Sequence, residues 1–310
     1  MSRNSSYVGR FAPSPSGPLH FGSLVTALAS YLDARARGGR WLVRIEDIDP
    51  PREQPGAISA ILLSLEAHGL FWDGEIFYQS QRLNAYSDHL NSLLGKDLAY
   101  PCDCSRQQIQ ATQGIYSCRC RNNQALYQQN RNSPCAIRLK VHDLPNSHKH
   151  LNPEIQFDDI LQGPQRQHLG REVGDFIIRR KDTLFAYQLA VVADDIEQSI
   201  THIIRGSDLL DSSARQIFLA RLLGAEAPQF GHVPIAINAL GQKLSKQNGA
   251  PGLINQNAGN NLRRALTSLN LCPPKELYEA PPEHLLNWAI PRWNRQGLPG
   301  GLTLMRTDLQ

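Results

Sequence analysis

The segment that most constrains the fold of this chain runs from Tyr7 to Ser23, with the sequence YVGRFAPSPSGPLHFGS. Its opening is rich in strand formers, and the prolines and glycine from Pro13 to Pro18 then exclude regular structure. After Ser23, apolar residues recur at helical spacing until the glycine pair 38–39. A helix start carries unpaired N–H groups, and its dipole favours an anion. The pattern therefore predicts a phosphate-binding strand–loop–helix unit, with a plain connecting loop as the alternative.

A second short strand, at residues 40–45, predicts a parallel β-α-β start and therefore an α/β fold. This strand ends in EDIDPPR, which begins at Glu46. Open α/β sheets bind ligands beyond the carboxyl ends of their strands, so these acidic residues mark a candidate site, unless they are only a solvated loop. Helices are expected at about residues 54–68, 81–94 and 212–223, the last one capped by Asp211 and stopped by Gly224.

Residues 98–185 break this α/β rhythm and are predicted to be an insertion. Two Cys-x-Cys pairs lie there, and they hold four of the six cysteines, Cys102, Cys104, Cys118 and Cys120. Such clustering favours a metal over disulfides in a cytosolic chain, and thiolates suit a structural zinc. Spacing alone points to these four ligands, while free thiols without metal are the alternative. The isolated Cys135 and Cys272 are expected to be small core residues.

Composition indicates a soluble globular protein, with 41% hydrophobic and 19% charged residues. Apolar runs stay below membrane-spanning length, and the polar start has no signal-peptide core. We therefore expect a cytoplasmic monomer without a membrane partner. Residues 101–150 carry seven basic against two acidic residues, which suits a nucleic-acid partner as well as an ordinary solvated face.

Four segments together resemble the signatures of class I aminoacyl-tRNA synthetases, in their glutamyl/glutaminyl branch. They are RFAPSPSG from Arg10, PLHFGS around His20, RIEDIDPPR around Glu46, and GQKLSK ending at Lys246. The family often has a second histidine at the position of Ser23, so His20 would act without it. The order of the four segments gives the resemblance its weight, because a lone Lys-x-Ser-Lys match is common.

The resemblance implies a Rossmann-like parallel sheet formed by residues 1–97 and 186–249. The inserted residues 98–185 would bind zinc and contact tRNA, and residues 250–310 would form a short helical module that contacts a tRNA stem. The 64 residues after Lys246 leave no room for an anticodon-binding domain, so we expect that domain to be absent.

The resemblance also assigns roles to individual residues. Glutamate would be bound by Arg10, Phe11, Ala12, Pro13, Ser14, Glu46, Tyr187 and Arg205. ATP, accompanied by Mg²⁺, would be bound by His20, Gly22, Ser23, Asp208, Lys243, Ser245 and Lys246. The residues expected to act in catalysis are His20, Lys243 and Lys246. One zinc per chain would be bound by Cys102, Cys104, Tyr116 and Cys120. This set omits Cys118, so it competes with the four-cysteine set.

The closest resemblance is to a paralogue group that transfers activated glutamate to the queuosine base of tRNA(Asp). The expected function is therefore tRNA-independent formation of glutamyl-adenylate from ATP and L-glutamate, followed by that transfer. An ordinary glutamyl-tRNA synthetase that recognises only the acceptor stem is one alternative, and an inactive tRNA-binding paralogue is another. A class I-like nucleotidyltransferase could share the His20 segment but would not need RIEDIDPPR.

Overall fold

The computed structural model describes residues 6–110, 120–121, 135–237 and 251–305. The helices are α1 (Phe21–Arg35), α2 (Ala57–Ala67), α3 (Leu83–Gly95), α4 (Arg106–Gln110), α5 (Leu169–Glu172), α6 (Tyr187–Glu197), α7 (Leu210–Leu222), α8 (Ala258–Ser268) and α9 (Pro282–Ala289). The strands are β1 (Val8–Phe11), β2 (Arg40–Ile45), β3 (Phe77–Tyr78), β4 (Ala99–Cys102), β5 (Ala136–Leu139), β6 (Glu154–Asp159), β7 (Gly163–His168), β8 (Phe176–Arg179), β9 (His202–Gly206), β10 (Gln229–Val233), β11 (Ile235–Ile237) and β12 (Thr303–Met305). Within these ranges, no helix has the length and apolarity needed to span a bilayer.

Parallel strands form the core, as the sequence predicts. Strands β1, β2 and β3 pair in that order and in parallel, and β9 pairs in parallel with β10. A backbone hydrogen bond of 2.9 Å from Thr201 to Val8 joins the start of β9 to β1. Helix α1 packs against β1, β2 and β9 through residues such as Leu24, Leu28 and Leu32, which are fully buried. The carboxyl ends of β1 and β2 therefore lie side by side at one edge of the sheet.

Every antiparallel ladder among the described strands falls between residues 99 and 179. Strands β4, β5 and β8 form one antiparallel sheet, and β6 and β7 form a hairpin. The hairpin packs against β10 of the parallel core, where Ile160 donates a backbone hydrogen bond of 2.8 Å to Phe230. The change in ladder type explains why the sequence loses its α/β rhythm in this region.

The C-terminal residues, predicted to form a short helical module, contain two α-helices among the described residues, and α8 packs on α1 while α9 packs on α8. The region also contains a strand that the sequence did not indicate, because β12 pairs in parallel with β11. The carboxylate of Asp33, on α1, is fully buried and binds this C-terminal region to α1 through hydrogen bonds. It accepts hydrogen bonds from Tyr7 Oη at 2.6 Å, from Trp293 Nε1 at 2.8 Å and from Arg295 Nε and Nη2, both at 2.8 Å.

Two local predictions are wrong. Asp211 does not cap α7, because the N-cap is Leu209 and no side chain closes that end. Asp211 instead lies in the first turn, where its negative charge is favourable beside the helix dipole. Gly224 does follow the helix, with φ of +78°. Of the isolated cysteines, Cys135 is buried as predicted, but Cys272 is exposed.

Candidate active site

Backbone hydrogen bonds join the proline-rich loop after β1 to the acidic segment after β2. Glu46 N donates to Pro13 O at 3.0 Å, and Gln54 N donates to Pro15 O at 2.9 Å. Prolines lack an N–H but keep their carbonyl, so this loop can accept hydrogen bonds without continuing the sheet. Two segments separated by a whole helix in the sequence therefore share one rim of the sheet.

His20 lies at the start of α1, as its N-cap residue. Its Nδ1 accepts a hydrogen bond of 3.2 Å from Ser23 N, and its Nε2 lies 3.1 Å from Ser23 Oγ. A Cβ atom on Gly22 would lie 3.2 Å from His20 Cε1, so a larger residue would crowd the imidazole. The His20 backbone also forms a β-bridge with Gly252. The structure thus brings three predicted ATP-site residues together at a helix start.

A buried charge network lies beneath this rim. Arg10 Nε is 3.2 Å from Asp195 Oδ1, and Arg44 Nη1 is 2.8 Å from the same oxygen. Arg44 Nη2 is 3.6 Å from Glu46 Oε1, and Arg44 Nε is 3.9 Å from Asp194 Oδ2. Burial acts to raise the pKa of Asp195, but the charges of Arg44 and Arg10 outweigh it and hold this pKa below its usual range. Asp195 therefore stays ionised and fixes both guanidinium groups.

Glu46 has the opposite character. Its carboxylate is buried, and Oε1 accepts no hydrogen bond within the part of the chain that the structure describes. Burial raises the pKa of Glu46, and the nearby charges of Arg44 and Arg10 oppose that rise without cancelling it. An acceptor of this kind favours a ligand that brings its own donors and positive charge.

The two predicted arginines differ in the donors that they leave for a ligand. Arg10 uses only Nε among the described contacts, so its two amino groups are available. All five N–H groups of Arg205 have protein partners, namely His232 Nε2, Tyr187 Oη, Gln216 Oε1, Leu209 O and Ser213 Oγ. The contact to Tyr187 is the longest of these, at 3.5 Å. Arg205 in this conformation therefore offers buried charge rather than a free fork.

Tyr187 connects these groups electrostatically. Burial raises the pKa of its phenol, while the charge of Arg205 lowers it and the charge of Glu46 raises it further. These charges therefore act on one hydroxyl, which remains protonated at neutral pH. Because that hydroxyl accepts from Arg205, its own hydrogen is left for an acceptor in the pocket.

A cavity of about 650 Å³ lies where these elements meet. Its wall includes Ser14, Glu46 and Tyr187, together with Asp49 and Arg180. This volume suits a small-molecule ligand. A second cavity of about 630 Å³ is lined by residues of α6 and α7, and its wall contains none of the residues predicted to bind glutamate or ATP.

Other predicted residues have less direct positions. Phe11 is buried in the core, and its ring stacks on Trp41 with centroids 6.3 Å apart, so only its backbone faces the rim. Asp208 is exposed after β9, and a Cβ on Gly206 would lie 2.5 Å from its Oδ1. Lys243, Ser245 and Lys246 lie outside the described residues.

Three of the predicted metal ligands come together. The Sγ atoms of Cys102, Cys104 and Cys120 all lie within 4.8 Å of one another, and Cys104 and Cys120 are 3.5 Å apart. Arg138 Nε donates to Cys102 Sγ at 3.3 Å, which favours a thiolate. This cluster can hold one metal ion. Tyr116 and Cys118, the competing candidates for the fourth ligand, lie outside the described residues.

Arg44 organises the charge network, although no role was predicted for it from the sequence. The sequence does contain a signal for this role. Arg44 is a charged residue in the otherwise apolar, buried end of strand RWLVRI, and a buried charge needs oppositely charged partners. Asp195 carries a weaker signal, since an acidic pair in an apolar helix is buried only where cations meet it.

The comparisons with known proteins agree with this geometry. The family described as "tRNA synthetases class I (E and Q), catalytic domain" matches residues 7–267. Two structures show the fold at 24% identity, a glutamate tRNA ligase from Elizabethkingia meningosepticum and a glutamate-tRNA synthetase from Elizabethkingia anophelis. Their TM-scores are 0.78 and 0.79, and the alignments cover 96% and 98% of this chain, and 67% and 69% of theirs. The chain therefore belongs to the class I tRNA synthetase family of the E and Q type, whose members are ligases.

Curated relatives place it more narrowly. A protein from Ectopseudomonas mendocina is 51% identical over 99% of this chain and 100% of its own length. One from Pseudomonas fluorescens is 50% identical over 99% of both chains. Both are named glutamyl-Q tRNA(Asp) synthetase, and this chain belongs with them in that group.

Proposed function

We propose that this protein activates glutamate with ATP, without tRNA, and then transfers the glutamyl group to queuosine in tRNA(Asp). The observation that carries the first half is the buried Glu46 Oε1, which has no hydrogen-bond partner among the described residues and faces a site with Arg10 and Arg205. The names of its relatives support the second half.

The charges of the site match those of glutamate. The substrate ammonium pairs with Glu46, which supplies the missing donors and lowers the cost of a buried carboxylate. The two amino groups of Arg10, which have no partner among the described residues, fork one carboxylate, and the Tyr187 hydroxyl donates to the other beside the Arg205 charge. With the side-chain carboxylate of glutamate on Arg10, glutamine is rejected because its amide would place donors against a guanidinium, which only donates.

The start of α1 supplies the site for ATP. Attack of a carboxylate oxygen on the α-phosphate joins two anions, so the protein must supply positive charge and alignment. The dipole at the start of α1 supplies partial positive charge, and His20, whose Nδ1 accepts from Ser23 N, supplies alignment. Mg²⁺ would neutralise phosphate charge when bound. Gly252 pairs with His20, and Ala236 lies near Gly22, so the described residues on both sides of segment 238–250 lie beside this helix start. That arrangement supports phosphate contacts from Lys243 and Lys246.

The transfer step requires the modified nucleobase of the tRNA to come within reach of the glutamyl-adenylate. Proteins usually read RNA loops by splaying their bases outward, and an anticodon base presented in this way could approach the rim formed by Pro13 and Glu46. The metal cluster is assigned to structural zinc, because its donors are thiolates and two of its three cysteines are fully buried.

The activation half is tested by ATP–pyrophosphate exchange with each amino acid, in the presence and absence of tRNA. Glutamate alone should support exchange without tRNA, and Lys246→Ala should slow it by roughly ten- to a thousandfold. Exchange that depends on tRNA, or on another amino acid, would refute the pocket assignment.

The transfer half is tested with labelled glutamate and three RNAs: tRNA(Asp) with queuosine, tRNA(Asp) with guanosine at that position, and tRNA(Glu). Label should appear only on the first, and it should survive enzymatic removal of the 3′-terminal adenosine. Label on tRNA(Glu), or equal label on both forms of tRNA(Asp), would contradict the proposal.

A further inference from the structure

A buried series of hydrogen bonds links the β6–β7 hairpin to Arg205. Asp159, the last residue of β6, has a fully buried side chain, and its Oδ2 lies 2.5 Å from His232 Nδ1. His232 Nε2 accepts the Arg205 Nε–H at 2.9 Å. His232 and Arg205 are directly opposite in the parallel ladder of β10 and β9, so the sheet itself brings them together.

The direction of these bonds fixes the protonation of His232. Arginine only donates, so His232 Nε2 must accept, and the imidazole proton must lie on Nδ1 and be donated to Asp159. Burial lowers the pKa of His232 against the opposing effect of Asp159, which keeps the ring neutral. Ser213 Oγ also lies 3.3 Å from His232 Nε2, and it can donate to the same lone pair.

Asp159 also shapes the turn of the hairpin. Its Oδ1 accepts three backbone N–H groups, from Leu161 at 3.0 Å, from Gln162 at 2.9 Å and from His232 at 3.1 Å. The Gln162 side chain then donates to His232 O at 2.7 Å. One carboxylate therefore holds the turn against β10 and sets the tautomer of the imidazole.

We propose that Asp159 and His232 are positioning residues that fix the Arg205 guanidinium and couple the β6–β7 hairpin to the glutamate pocket. The proposal rests on the proposed function, because Arg205 receives its substrate role there. The proposal adds that the position of Arg205 depends on His232. The Arg205 Nε–H donates to His232, so the guanidinium cannot turn toward a ligand without breaking that bond.

Two substitutions of His232 separate its two contacts. Asparagine places an amide near the position of Nδ1, so His232→Asn keeps a donor for Asp159 and loses the acceptor for Arg205. Glutamine reaches the position of Nε2, so His232→Gln keeps that acceptor and loses the donor. Asp159→Asn disturbs the partner of His232 instead. The asparagine amide must place its N–H₂ donor against another donor, either His232 Nδ1–H or the three backbone N–H groups. The first arrangement drives the imidazole proton to Nε2, against the Arg205 donor.

The experiment measures KM for glutamate and for ATP in pyrophosphate exchange, with the free energy of unfolding of each variant. His232→Asn and Asp159→Asn should raise KM for glutamate about 10- to 100-fold, the effect of a misplaced binding group, with KM for ATP within about twofold. His232→Gln should raise it less than His232→Asn. The matched control is Glu154→Gln, which removes a carboxylate from the far end of the same hairpin and should leave both KM values unchanged.

Nitrogen chemical shifts of His232 give a second readout that a purely structural role would not move. The wild-type ring should show the Nδ1–H tautomer, and Asp159→Asn should shift it toward Nε2–H. If Asp159→Asn does not fold, the two His232 variants decide the question. Equal KM values for His232→Asn and His232→Gln, or changes that follow stability alone, would overturn the proposal. Arg205→Lys tests the underlying assignment separately, because an unchanged KM for glutamate in that variant refutes the pocket itself.

Discussion

Glu46→Gln should stabilise the protein and abolish most of its activity. Glu46 Oε1 is buried without a hydrogen-bond partner among the described residues, and its nearest guanidinium nitrogen, Arg44 Nη2, is 3.6 Å away. Because burial raises its pKa in the folded state, the ionised carboxylate at neutral pH opposes folding. Glutamine keeps the shape without the charge, and relieving such a functional-site strain commonly gains about 0.5–2 kcal/mol.

The direction in which stability changes with pH follows from the same raised pKa of Glu46. The folded state binds the Glu46 proton more readily than the unfolded state, so this group adds stability as pH falls from neutral through its raised folded pKa. Glu46→Gln should remove that gain. Its effect on catalysis has the opposite sign, because a substrate ammonium left unpaired in a buried site costs about 3–5 kcal/mol. That cost corresponds to a loss of roughly 10²- to 10⁴-fold in kcat/KM for glutamate.

Urea unfolding from pH 5 to 8 and pyrophosphate exchange measure the two effects in the same preparations. The matched control is the adjacent Asp47→Asn, since both oxygens of Asp47 are satisfied by Ser80, through N at 2.9 Å and Oγ at 2.6 Å. This variant should lose about 1–3 kcal/mol of stability. A Glu46→Gln protein that is destabilised like the control, or that still activates glutamate normally, would refute the reasoning.

Three further predictions concern structural features. Elemental analysis of the wild type should find about one metal atom per chain. Cys102→Ser should lose this metal while Cys135→Ser should retain it, and equal retention would argue against the cluster. Asp33→Ala should lower the free energy of unfolding by about 3–5 kcal/mol, because it strands buried donors and charges, whereas the exposed Asp88→Ala should change it by less than about 0.5 kcal/mol. Burial lowers the pKa of His202 to about 4, so wild-type stability should fall as pH drops from about 6.5 toward that value, since the unfolded state takes up the proton first. The variant His202→Phe should show a flatter pH profile, and an identical profile would contradict the assignment.

The parts of the site nearest to the sheet edge could be predicted from the sequence. Parallel strands must place their carboxyl ends together, so Arg10 and Glu46 were expected to meet once β1 and β2 were recognised. The helix start at His20 follows from the same unit, because its apolar spacing begins directly after the loop. The clustering of Cys102 and Cys104 with Cys120 could be predicted from the residue type and the close spacing of the two Cys-x-Cys pairs.

Contacts between distant positions could not be predicted in this way. Asp33 lies within an apolar helix and resembles an ordinary polar residue, yet its partner Arg295 is 262 positions away. His232 and Asp159 are 73 positions apart, and neither belongs to a recognisable motif. Periodicity reports which face of an element is buried, but it does not report which element covers that face.

Arg10 and Arg205 show how far residue identity alone can decide a role. Both are buried arginines in parallel strands, and the charge of each interacts with that of Glu46. The sequence resemblance gives them one task. Among the described contacts Asp195 accepts from one donor of Arg10, and its single negative charge is shared between Arg10 and Arg44, which leaves the two amino groups of Arg10 for directional contacts. The partners of Arg205 satisfy all its donors and are neutral, which leaves charge without free donors. In the proposed glutamate complex the two guanidinium groups would complement each other on a dicarboxylate, since Arg10 would supply geometry and Arg205 would supply electrostatic attraction through the hydroxyl of Tyr187.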